Sequence, residues 1–100
     1  MQGSTPHSSE DVVTLLYRVT GKVQGVFFRK YTKKEADALS LVGHVMNNED
    51  GSVSGIVQGP KSHVDAFVKY LHKGSPKSIV KRVDIQASAR VEASAFEIRR

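Results

Sequence analysis

Apolar residues fall into blocks of two different periods along the chain. From Val12 to Thr20, Leu15, Tyr17 and Val19 alternate with Leu16, Arg18 and Thr20, which predicts a strand with one face on a core. Gly21 and Gly25 then bracket a loop, and the spacing of Phe28, Thr32, Ala36 and Leu39 predicts a helix ending near Ser40. Val42 to Asn47 and Ser52 to Gln58 read as two strands joined through Asn48-Glu49-Asp50-Gly51, whose Asp-Gly pair suits a hairpin. Val64, Phe67, Val68 and Leu71 stand at i, i+3, i+4 and i+7, a helical stripe, with Ser62 and Asp65 placed as a capping box and Gly74 and Pro76 as its stop. Alternation resumes at Lys81, Val83 and Ile85, and Phe96 to Arg99 adds a short last strand.

The order βαββαβ, with its extra strand, predicts an α+β domain of ferredoxin-like type, an antiparallel sheet with two helices packed on one face. The polar segment 1–11, with Pro6, reads as a mobile tail and residues 12–100 as a single domain. This architecture serves RNA binders, metal carriers and enzymes alike, so function has to come from particular residues.

Composition removes several classes. There is no cysteine, hence no disulfide, thiolate nucleophile or thiolate zinc site. His7, His44, His63 and His72 show no close pairing of the metal-ligand kind, so no metal is expected. No apolar run approaches the roughly 18 residues that span a bilayer, and the N-terminal segment lacks a signal-peptide pattern. A cytosolic monomer, not inserted in a membrane, is the expectation. The charge is uneven: in residues 1–50 every basic side chain, Arg18, Lys22, Arg29, Lys30, Lys33 and Lys34, falls in one stretch that holds no acid. That field favours an anionic partner.

The field coincides with Gly21-Lys22-Val23-Gln24-Gly25-Val26-Phe27-Phe28-Arg29, a glycine loop feeding a helix start. Unpaired backbone N–H groups and the positive end of the helix dipole together favour a phosphate or carboxylate there. Gly25 permits close approach or a positive φ angle. Arg29 and Lys30 face the unfavourable end of the dipole, a cost of about 0.3–1 kcal/mol each that a bound anion would offset. The alternative is that Arg29 reaches solvent or pairs with Glu35 or Asp37.

The string Gly-x-Val-Gln-Gly-Val-x-Phe-Arg closely resembles the motif of the acylphosphatase family. The resemblance continues through Arg29-Lys30-Tyr31-Thr32, Gly43-His44-Val45-Met46-Asn47, Gly51-Ser52-Val53, Val57-Gln58-Gly59-Pro60, Gly74-Ser75-Pro76 and Phe96-Glu97-Ile98-Arg99, covering roughly residues 12–99. It implies a cofactor-free enzyme that hydrolyses the carboxyl–phosphate bond of small acyl phosphates, with inorganic phosphate as product and competitive inhibitor. By the same resemblance the family's phosphate-binding arginine falls on Arg29, with Val23, Gln24, Gly25, Val26, Phe27 and Phe28 as the phosphate loop, and its water-orienting asparagine on Asn47. His44 departs from the tryptophan of many members, and Arg100 from the tyrosine with which some end.

No serine, threonine, cysteine, aspartate or histidine lies between Gly21 and Arg29, which argues for direct attack by water rather than a phosphoenzyme. Asn47 can accept a hydrogen bond from water and donate one to phosphate, although as a bare residue it equally begins the hairpin turn. The rival reading is a non-catalytic anion- or RNA-binding module. No segment supplies the aromatic RNA-recognition strand, and no nucleic-acid partner is expected.

Overall fold

The computed structural model describes residues 11–100. The first strand does not stop at the glycine that was expected to open the loop: β1 runs Val12–Lys22. Gly21, at φ 129°, absorbs a shift in register between β1 and its neighbour, and pairing continues to Lys22. Then come α1 (Phe28–Ala38), β2 (Val42–Asn47), β3 (Val53–Pro60), α2 (Lys61–Lys73), β4 (Ile79–Ala87) and β5 (Phe96–Arg99). The chain leaves α1 through Ser40 at φ 56°.

The sheet order is β4-β1-β3-β2-β5. β1 pairs antiparallel with β3 and β4, and β2 antiparallel with β3, in the ferredoxin-like arrangement. β5 departs from the expected all-antiparallel sheet by joining β2 in parallel, from Gly43↔Phe96 to Met46↔Arg99. Since β4 and β5 occupy opposite edges, residues 88–95 must cross from one edge to the other. Gln58 fastens this crossing: its Nε2 donates to the Val91 carbonyl at 3.0 Å, and the Val91 N–H donates to its Oε1 at 2.9 Å.

Alternation along the strands makes one face the core. Tyr17, Val19, Val45, Val53 and Val57 meet Phe28 and Ala36 of α1 and Val64, Phe67 and Leu71 of α2 in one buried cluster. Tyr17 sets its ring edge to face against Phe67, centroids 5.5 Å apart, and its hydroxyl donates to the His44 carbonyl at 2.7 Å. Burial, reinforced by nearby Tyr70, raises the Tyr17 pKa well above that of an ordinary phenol, so it stays a neutral donor. Thr32 and Tyr70 join the two helices through their hydroxyls, 3.0 Å apart.

The expected Ser62–Asp65 capping box is not formed. The N-cap of α2 is Pro60, extended at φ −58° and ψ 142°, and no side chain caps it. A helix starting at Lys61 puts Ser62 inside the first turn, and Asp65 pairs with Lys61 at 2.8 Å. Of the tail expected over residues 1–11, only Asp11 lies among the described residues, and its carbonyl accepts the Lys61 N–H at 3.1 Å.

Candidate active site

Three residues pull the loop between β1 and α1 into the core: Val23, Val26 and Phe28 are buried. Between them the backbone has to turn sharply, through Gly25 at φ 73° and Phe27 at φ 58°. Phe27 is also the N-cap of α1, has no side-chain cap, and leaves its ring 72% exposed. Its carbonyl takes the first helical bond, from Tyr31 N at 3.0 Å. The N–H groups of Phe28, Arg29 and Lys30 therefore have no intrahelical acceptor.

Two side chains brace the loop. The buried Ser75 hydroxyl, just past α2, donates to the Val26 carbonyl at 3.0 Å. Gln24 donates from one amide nitrogen to the carbonyls of Asn48 at 2.8 Å and Ser52 at 2.9 Å, which fixes the loop against the hairpin that follows Asn47.

A cavity of about 390 Å³ opens where the loop meets the ends of β2 and β5, lined by Val23, Gly25, Phe27, Phe28, Arg29, Lys30, Asn47, Ile98 and Arg100. Arg29 and Asn47 thus share one space. The Arg29 guanidinium donates to the Arg99 carbonyl at 3.0 Å, and Asp37, one of its possible acidic partners, is held by Lys33 at 2.9 Å. Asn48 turns elsewhere: its amide nitrogen donates to the Ser52 and Ser54 hydroxyls at 2.8 and 3.0 Å. Gln24 and Val26, both named as loop residues from sequence, do not line the cavity and instead hold its wall in place. Lys30, Ile98 and Arg100 were not among the named site residues. Lys30 carried a signal in its charge beside Arg29, whereas the last two become neighbours of Asn47 only through the parallel pairing of β5.

A larger groove, about 780 Å³, lies over the outer side of β2 and β5 beneath residues 91–95. Glu92 and Glu97 line it, which disfavours a phosphate. His44, also on its wall, has its pKa lowered by burial and by Arg99, against an opposing effect of Glu97, and so is held toward the neutral form.

The need for glycine at residue 25 can be measured. A Cβ there meets nothing within 4 Å, so the cost of a side chain comes from the positive φ alone. Gly25→Val is expected to incur about 1–3 kcal/mol of backbone strain or shift the loop, with a clear loss of phosphate affinity. Gly25→Asn should lose less, since asparagine tolerates the left-handed region. Titration with inorganic phosphate gives the order, and unchanged affinity in folded Gly25→Val would remove the loop from the site.

Comparison with known proteins shows the family. The family model described as Acylphosphatase matches residues 15–98. Acylphosphatase-1 of Gallus gallus is 44% identical over 96 residues, covering 92% of this chain and 97% of the relative. The acylphosphatase of Sinorhizobium medicae is 40% identical over 93 residues, covering 92% and 99%. Among solved structures, an acylphosphatase from Coxiella burnetii superposes with a TM-score of 0.87 at 30% identity, covering 95% of this chain and 99% of its own. That from Bacillus subtilis gives 0.85 at 34%, covering 90% and 100%.

Proposed function

Because the chain belongs to the acylphosphatase family and is an enzyme of acyl phosphate hydrolysis, we propose that it works by direct attack of a water held by Asn47 on a phosphoryl group held by Arg29 and the 23–29 loop. The observation that carries this reading is the single cavity onto which Gly25, Arg29 and Asn47 all open. The N–H groups at the start of α1, the positive dipole end and the guanidinium supply fixed positive charge without reorganisation, which is where a loose phosphoryl transfer needs it.

Asn47 orients the nucleophile with its carboxamide oxygen and removes no proton. As the water oxygen bonds to phosphorus, the phosphorus–oxygen bond to the acyl group breaks. Its electron pair leaves on the carboxylate, and the water's proton passes to a phosphoryl oxygen, giving carboxylate and dihydrogen phosphate. A carboxylate is a good leaving group and nucleophile bonding is weak in a loose transition state, so no strong base is required. Gln24 keeps the two halves of the site in register, since its bonds run from the loop to the residues flanking Asn47 in the hairpin.

The same reading makes inorganic phosphate both product and competitor, and takes the protein as a cytosolic monomer. Among the described residues no helix is long and apolar enough to cross a membrane. The test is hydrolysis of benzoyl phosphate by purified protein in excess chelator. Turnover should persist at its full rate, because Arg29 and the backbone supply the charge. Complete loss, restored by added metal, would defeat the mechanism.

A further inference from the structure

The end of the molecule that holds the β1–α1 loop carries a surface wider than its cavity. Two stretches without an acid, residues 12–34 and 66–83, meet there. Lys22 at the end of β1 pairs with Ile79 at the start of β4, and the Ser75 hydroxyl reaches the Val26 carbonyl at 3.0 Å. Lys22, Lys30, Lys73 and Lys77 are all exposed. The ion pairs among the described residues, Arg18–Asp50, Lys33–Asp37, Lys61–Asp65 and Arg82–Asp84, use none of them. Lys73 suits the negative end of the α2 dipole, but Lys30 stands at the positive end of α1, and Lys22 and Lys77 lie outside both helices. In the 48–52 hairpin at the same end, Asp50 is held by Arg18, which leaves Glu49 as the opposing charge.

Apolar side chains protrude among these cations. The two large hydrophobic residues most open to solvent among the described residues are Phe27 and Ile79, the latter 59% exposed, and both are here. Phe27 is held outward by its own backbone, at φ 58°, and Lys30 keeps its ammonium 5.8 Å from the centroid of the ring. Separate protruding apolar tips ringed by lysines form no groove for a peptide, but they suit a flat partner that is negatively charged outside and apolar beneath. We propose that this end is a reversible docking surface for an anionic lipid bilayer. Phe27 and Ile79 enter the headgroup layer, and the four lysines meet lipid phosphates and carboxylates. Ile79 has no ring to stack on a base and lysine has no planar face, which favours lipid over single-stranded RNA. Two shallow tips and a few charges give peripheral, salt-sensitive association.

The chain has no tryptophan, so a single one reports its surroundings. Phe27→Trp, Ile79→Trp and, at the opposite end of β1, Val12→Trp are titrated with phosphatidylcholine vesicles, with or without about one third phosphatidylserine. Emission from Phe27→Trp and Ile79→Trp should shift to the blue on anionic vesicles alone, and that from Val12→Trp should not move. Lys73→Gln and Lys77→Gln, read by vesicle sedimentation, should each weaken binding about fivefold, and the pair about twenty- to thirtyfold, with hydrolysis of benzoyl phosphate unchanged. KCl at about 0.5 M should release the protein. Absence of binding to anionic vesicles, equal binding to neutral ones, or an equal shift in Val12→Trp overturns the proposal. Lysine-dependent binding of single-stranded RNA by a protein that ignores vesicles overturns it too, and assigns the surface to nucleic acid.

Discussion

Replacing Arg29 by glutamine is expected to lower kcat/KM for benzoyl phosphate by about a hundred- to a thousandfold, the range of 2.7–4 kcal/mol that follows loss of one preorganised donor to a developing charge. The effect exceeds that of an ordinary surface arginine for a structural reason. Arg29 is in the first turn of α1, where its charge opposes the dipole, and its guanidinium is steadied by the Arg99 carbonyl at 3.0 Å. Glutamine keeps a polar side chain but loses the charge and the planar fork. Inhibition by inorganic phosphate should weaken together with turnover, because in the proposed mechanism the guanidinium holds the phosphoryl group both before and during reaction. Folding is checked by circular dichroism. A folded Arg29→Gln protein with near-native kinetics and phosphate inhibition would show that the anion is held elsewhere.

Asn47→Ala should separate the two quantities that Arg29→Gln moves together. Loss of the water's anchor is expected to reduce kcat by about a hundredfold or more, the scale of a misplaced reactant. Phosphate inhibition should change little, because Arg29 and the amides at the start of α1 remain. Asn48→Ala is the matched control. It removes hydrogen bonds to the Ser52 and Ser54 hydroxyls at 2.8 and 3.0 Å, but leaves the backbone carbonyl that accepts from Gln24. The expected result is a stability loss of about 1 kcal/mol, seen as a lower denaturation midpoint, with hydrolysis retained. A kcat collapse in Asn48→Ala alone would move the water to the neighbouring residue.

What could be read from sequence was largely local. The hydrophobic stripe Val64, Phe67, Leu71 locates α2, and all three residues are buried. The alternation around Tyr17 and Val19 locates β1 and its inner face, because burial there follows directly from strand period. The capping box failed because its four-residue spacing is a pattern without a starting point: Pro60 sets the entry to the helix, and Ser62 falls two residues past the N-cap, inside the first turn. Ile98 and Arg100 were out of reach for a different reason. The strand that holds Ile98 and leads into Arg100 was visible, but which edge it joins depends on sheet order, and no periodicity within four residues encodes a parallel pairing with β2. Gln24 shows the same limit, since its partners Asn48 and Ser52 belong to a hairpin more than twenty residues away. The motif resemblance supplied the family and implied the roles of Arg29 and Asn47, and it carried no information on how Gln24 braces the loop.

The pairing of β5 also sets where the site gives way first. β5 is anchored at its beginning, where Phe96 is buried, its carbonyl accepts from Lys33 Nζ at 2.9 Å, and Gly43 N donates to Ala95 O at 3.0 Å. Its other end is an edge, and the last register pair is Met46↔Arg99. Fraying from that end breaks few hydrogen bonds and exposes little apolar surface, so it costs far less than unfolding the domain. Yet that short opening withdraws the Arg99 carbonyl and lets the Arg29 guanidinium swing free while Gly25, Gln24 and Asn47 stay in place. The precision with which the arginine is aimed is thus governed by the opening equilibrium of one strand end and not by the global stability of the fold.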